Sequence, residues 1–241
     1  EGGGTDTGRA GSSGTGGVAA VTGGGSTNAI DTQIDTLDLD NTTSGNVDIN
    51  ETDALDINQI DQDAAAGTVN VDAGGTITVV AAQSGVTGTA GQVELDADGA
   101  ASSIVVNDEV TTTGGAINIL ADDDAIFSAD GDVTSAGGNV TVSGDANAGG
   151  SGTDGALTMA DGAVINAGSG TVDMDADEDI TLGGVTTTNA GATAVTVTST
   201  SGGVVYGGDT DTDITANSGT VVIDAVSGVG DFNAIDTQID T

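Results

Sequence analysis

The chain has 241 residues and carries 38 Asp and Glu against one basic residue, Arg9, with no His, Cys, Pro or Trp. A formal net charge of -37 excludes a polyanionic partner such as nucleic acid, whose affinity comes from Lys and Arg neutralising phosphates. The missing His, Cys and Lys remove the usual general bases and nucleophiles, so the composition argues against an enzyme and leaves carboxylates, hydroxyls and backbone groups to carry any function.

The first residues, EGGGTDTGRAGSSG, lack the charged and apolar regions of a signal peptide, and residues 1–27 read as the Gly-rich end of a preceding repeat. Nowhere is there an apolar run of membrane-spanning length. The octapeptide NAIDTQID at Asn28–Asp35 returns unchanged at Asn233–Asp240, an offset of 205 residues. This divides the chain into one full repeat over 28–232 and the start of the next over 233–241.

Inside the repeat a Gly is followed, again and again, by a short alternating apolar segment. In chain order these are NVDIN from Asn46, TVNVDA from Thr68, QVELDA from Gln92, AINILA from Ala116, NVTVS from Asn139, TVDMDA from Thr171 and TVVIDA from Thr220, with a looser ATAVTVTS after Gly191. The glycines Gly45, Gly67, Gly91, Gly115, Gly138, Gly170, Gly191 and Gly219 set the beat. Most steps fall between about 21 and 24 residues, the length of one solenoid coil. Period-two alternation of β-branched residues predicts strands, and the glycines predict turns. A second apolar piece follows in each coil (TITVV at Thr76, SIVV at Ser103, AIFS at Ala125, DITL at Asp179, GVVY at Gly203). A third follows it (VTTT at Val110, VTS at Val133, VINA at Val164, VTTT at Val185, DIT at Asp213).

The fold expected is therefore all-β: a parallel β-helix of about nine coils with three short strands per coil. Val69, Val71, Val93, Leu95, Ile117, Ile119, Val140, Val142, Val172, Met174, Val221 and Ile223 should point inward. Ala73, Ala97, Ala121, Ala176 and Ala225 should mark a corner with room for one methyl. A ring would overfill so thin a coil, which accounts for a chain with only Phe127, Phe232 and Tyr206. The ordered beat sets it apart from a disordered chain of similar composition.

The coil pattern Val/Ile-x-Val/Ile/Leu-x-Ala, then a short apolar strand, then V-T-T-x-G-G, together with AIDTQIDTLD, resembles the coils of filamentous haemagglutinin-like adhesins and related giant repeat proteins of bacterial surfaces. The resemblance runs from about Asn28 onward. It implies a right-handed parallel β-helix, secreted or displayed at the cell surface, acting as a structural or adhesive module of a long filament. The partners implied are neighbouring copies of the repeat, joined covalently or end to end, and surface glycans or other cells. The family's amino-terminal secretion motif and an RGD tripeptide are both missing from this sequence.

Carboxylates are the remaining candidates for chemistry. Asp173, Asp175, Asp177 and Asp179 alternate along one stretch, Asp209, Asp211 and Asp213 along another, and Asp122, Asp123 and Asp124 run together. Asp72 and Asp96 hold one register in adjacent coils, which should place them about 5 Å apart. Like charges that close bind a cation or share a proton, and Ca2+, which takes oxygen ligands, is the candidate cofactor. The alternative is a solvated acidic face that protects strand edges. GGSGTD at Gly149–Asp154 matches part of a Ca2+-binding nonapeptide but reads as an insertion. A polysaccharide-processing enzyme is the remote alternative, since paired carboxylates hydrolyse glycosides, but aromatic sugar platforms are nearly absent. The Thr runs at Thr111–Thr113 and Thr186–Thr188 are explained by β-propensity, and the sequons at Asn41, Asn50 and Asn139 matter only in a glycosylating source.

Overall fold

The computed structural model describes residues 15–22, 29–146, 155–208, 212–230 and 234–240, and among these the regular structure is all β-strand. These residues form a parallel β-solenoid of about nine turns. The first face is a nine-stranded sheet built from Ile30–Thr32, Val47–Glu51, Val69–Ala73, Val93–Ala97, Ile117–Ala121, Val140–Gly144, Val172–Ala176, Val195–Ser199 and Val221–Ala225. Each strand pairs in parallel with its counterpart one coil away, so every residue of the motif stacks on its equivalent.

Coils three to eight each have three strands. Their second face stacks Ile77–Val79, Ile104–Val106, Ala125–Phe127, Leu157–Met159, Ile180–Leu182 and Val204–Tyr206. Their third stacks Gly85–Gly88, Val110–Thr112, Val133–Ser135, Val164–Asn166, Gly184–Thr187 and Ile214–Asn217, with Thr237–Asp240 after them. Coils one and two differ from the three-strand expectation, because Thr36–Ser44 and Leu55–Gln62 each run through both faces as one strand and, with Thr15–Thr22 paired to the first of them, fuse the two faces into a sixteen-stranded sheet. Leu37 pairs with Ile57 but Asp38 with Gln59. Asn58 is thus an extra residue, and such a bulge bends a strand around a corner without ending it.

Alternation puts Val, Ile and Leu inside. Val69, Val71, Val93, Leu95, Ile117, Ile119, Val140, Val142, Val172 and Met174 are all buried. Val221 and Ile223 only pack against the edge of the core, because among the described residues no further first-face strand covers the ninth coil. The expectation that a ring would overfill a coil fails at Phe127, which is 1 % exposed. Its strand compensates: Ala125 stands where the adjacent coils have Ile104 and Leu157, so the smallest inward side chain accompanies the largest.

The glycine beat has a steric cause. A Cβ built on Gly67, Gly91, Gly115, Gly138 or Gly170 would overlap the carbonyl oxygen of the corresponding glycine in the preceding coil. The coils approach backbone to backbone at this corner. Gly191 falls outside the ladder: Val172 pairs with Val195, so Thr193 occupies the glycine position of the eighth coil.

Beside the glycines lies a buried polar corner. Asn41 Nδ2 donates to Gln62 Oε1 at 2.7 Å, Thr112 Oγ1 to the Gly115 carbonyl at 2.7 Å, and Thr187 Oγ1 to the Gly170 carbonyl at 2.6 Å. The middle threonine of each Thr run therefore serves the backbone instead of the surface. Asn41 is fully buried, so its sequon is closed to a glycan.

The two copies of the octapeptide lie on different faces. Ile30–Thr32 forms the first-face strand of coil one, whereas Thr237–Asp240 pairs with Ile214–Asn217 on the third face.

Candidate functional site: stacked carboxylates

The outward positions of the first face form two columns. One runs Asp31, Asn50, Asp72, Asp96, Leu120, Ser143, Asp175, Thr198, Asp224. The other runs Asp48, Asn70, Glu94, Asn118, Thr141, Asp173, Thr196, Val222. Most acids in them have an amide or a hydroxyl as a register neighbour. Asn50 Nδ2 donates to Asp31 Oδ1 at 3.0 Å, Asn70 Nδ2 to Asp48 Oδ1 at 3.1 Å and Asn118 Nδ2 to Glu94 Oε2 at 2.8 Å. An amide between two carboxylates supplies donors where like charges would otherwise stack.

Two acids meet directly at one step of these columns, Asp72 and Asp96, which are register partners, as the sequence led us to expect. Burial, then the charges of Asp72, Asp98, Glu94 and Asp122, push the Asp96 carboxyl up to about 6. Burial, then Asp98, Asp48 and Glu94, raise Asp72. Asp173 and Asp175 share a strand but sit among hydroxyls, with Asp173 between Thr141 and Thr196 and Asp175 between Ser143 and Thr198. Burial, then Asp173, raises Asp175, and a hydrogen bond from Thr198 works against the rise.

The remaining acids of those stretches do different work. Asp177 lies at the corner and accepts a short hydrogen bond from Thr200 Oγ1. Asp179 Oδ1 accepts the Gly203 N–H at 2.7 Å, Asp124 Oδ1 the Ala156 N–H at 2.9 Å, Asp132 Oδ1 the Val164 N–H at 2.8 Å and Asp213 Oδ2 the Asp236 N–H at 2.7 Å. Asn46 and Asn139 accept the Thr68 and Thr171 N–H groups in the same way, at 3.1 and 3.0 Å. Each acceptor immediately precedes a strand, and each donor holds the matching position one coil later. A side-chain oxygen thus closes the last backbone donor at each of these corners. Asp213 is 1 % exposed, while Asp209 and Asp211, like the GGSGTD stretch, lie outside the described residues.

Among the described residues, one tight acidic group was not picked out from the sequence. One carboxylate oxygen from each of Asp40, Asp61 and Asp63 lies within 4.8 Å of the others. Asp40 and Asp61 are register partners in the two long strands, and Asp63 follows the second of them. Burial, then Asp63 and Asp40, raise the Asp61 carboxyl. Aligning Leu39 with Ile60 would have revealed the pair, but the bulge at Asn58 shifts the register within these long strands. Three carboxylates offer up to six oxygens, a donor set that suits Ca2+.

Among the described residues no helix is long and apolar enough to cross a membrane. No protein-family model matches the chain, and neither the curated proteins nor the solved structures give a significant match.

Proposed function

We propose that the chain is a non-catalytic structural and adhesive module of a long extracellular β-solenoid filament, of the kind its coil motif resembles in filamentous haemagglutinin-like adhesins. The observation that carries this reading is the unbroken parallel stack of nine first-face strands. Hydrogen bonds running along the stack axis resist extension and bending, and a stack of identical steps lengthens by repetition. The charge of -37 keeps so regular a surface from aggregating. With Arg9 as the single basic residue, a trypsin-like protease has no cleavage site in the body of the rod. Electron microscopy of source cells with an antibody against the chain tests the reading. Label along surface filaments is the expected result, and label confined to the cell interior would overturn it.

A second reading, favoured by Asp40, Asp61 and Asp63, is Ca2+-dependent stabilisation of the rod. A divalent cation there would remove the repulsion among the three carboxylates. At constant ionic strength, added Ca2+ should raise the melting temperature of the native chain, and Asp61→Asn should abolish the increment. A melting temperature indifferent to Ca2+ and to chelator would dismiss this reading.

A further inference from the structure

Stacking fixes how densely charge is laid along the axis. Residues 29–146 hold 22 Asp and Glu and no Lys or Arg. They supply six successive first-face strands, from Ile30–Thr32 to Val140–Gly144. Six coils at roughly 4.8 Å occupy about 29 Å of axis. One acid therefore falls every ~1.3 Å, against one charge per about 1.7 Å on duplex DNA. Glu51 is buried, and the carboxyls of Asp61, Asp72, Asp96 and Asp145 are raised, by burial first and by neighbouring acids after it. With all of these set aside the spacing is still ~1.7 Å, that of the duplex.

The charges surround the rod instead of gathering at one spot. Asp48 and Glu94 stand in an outward column of the first face. Asp56 lies on the second face, where it pairs with Thr78, and Glu109 stands at the entry to the third, before Val110–Thr112. None of the four is buried.

Two unit charges in water repel by the thermal energy at about 7 Å. Charges several times closer than that along an axis do not stay bare: mobile cations collect beside them, as they do on DNA. What such cations recognise is the line of charge, and no coordination shell is needed. An ion of higher valence releases several Na+ ions and gains their entropy. We propose that the solenoid is a polyelectrolyte rod whose ligands are multivalent cations, held along its length by linear charge density and not at a coordination site. This goes beyond the filament reading and does not rest on it. It also differs from Ca2+ at Asp40, Asp61 and Asp63, which needs three particular carboxylates.

The test uses the intact chain and hexaamminecobalt(III), a trivalent ion whose ammine shell leaves no position for a carboxylate. Equilibrium dialysis at low salt should count on the order of ten ions per chain, enough to neutralise most of the charge. Each ion exchanges for about three Na+, so its binding constant should fall about fortyfold between 50 and 200 mM NaCl. Mg2+ and Ca2+ should bind alike and more weakly than the trivalent ion, and Asp61→Asn should leave the number bound unchanged within one. Saturation at one ion per chain, Ca2+ binding more tightly than hexaamminecobalt(III), or binding indifferent to NaCl would overturn the proposal. Loss of the bound ions in Asp61→Asn would overturn it as well, in favour of the Ca2+ site. Failure of the antibody to label surface filaments would leave it standing, so the two failures are distinguishable.

Discussion

Gly114 and Gly115 are neighbours in sequence with opposite demands. A Cβ on Gly115 meets the backbone of Gly91 and Ala90, whereas one on Gly114 finds nothing within 4 Å. Gly115→Ala should therefore push two coils apart and cost about 2–3 kcal/mol, while Gly114→Ala should leave stability nearly unchanged; urea denaturation of the two variants measures both. Asp96 supplies a second prediction at this scale. Its folded carboxyl sits at about 6 against an ordinary 3.8, so between those values the folded chain holds a proton that the unfolded chain has released. Stability must then rise as pH falls from 7 toward 4, and be lost as pH climbs back through 6. Asp61, Asp72, Asp145 and Asp175 are raised too, with burial the first cause in each, and add in the same direction. Melting curves across this range should show higher midpoints in mild acid, and Asp96→Asn should raise the midpoint at pH 7 while flattening the profile.

At the scale of strands and corners, the acid immediately before a strand ties two coils together. Asp179→Ala removes the acceptor of the Gly203 N–H and should cost about 1 kcal/mol. Asp179→Asn should restore most of it, since Asn46 and Asn139 do the same work elsewhere, and thermal denaturation of the pair separates a hydrogen-bonding role from a charge effect. These ties also mark the limit of what was legible in the sequence. The first-face strands could be read because Gly, alternating Val or Ile, and Ala recur at fixed spacing, and Asp72 and Asp96 fell into register with them. Asp179 and Asp213 looked like further ligands because a list of acids does not say which residue precedes a strand, and that position decides whether an oxygen faces a cation or a backbone N–H. Asp40, Asp61 and Asp63 escaped notice for a related reason: a bulge at Asn58, not a glycine, turns the corner of the second coil. Phe127 was misjudged because its compensation, Ala125, lies two residues away in the same strand and is visible only once both point inward.

On the scale of the whole molecule, the unusual composition follows from a thin interior and a long surface. Each coil encloses a few aliphatic side chains, leaving little use for aromatics, and apart from Asp96 the acids of the two outer columns have an amide or a hydroxyl beside them. Stability is then a sum over coil junctions, so damage at one junction should weaken the stack locally. The central claim is that successive coils rise along one axis in strict register. Thr78, Val105, Ile126, Thr158, Thr181 and Val205 are successive partners on the second face. Five steps of roughly 4.8 Å separate the ends of that column, which makes about 24 Å. Electron–electron distance measurement between spin labels on Thr78→Cys and Val205→Cys, in a chain with no other cysteine, should give one narrow distribution near that value, allowing for the label tethers. A broad distribution, or one centred far from it, would contradict the stacked solenoid.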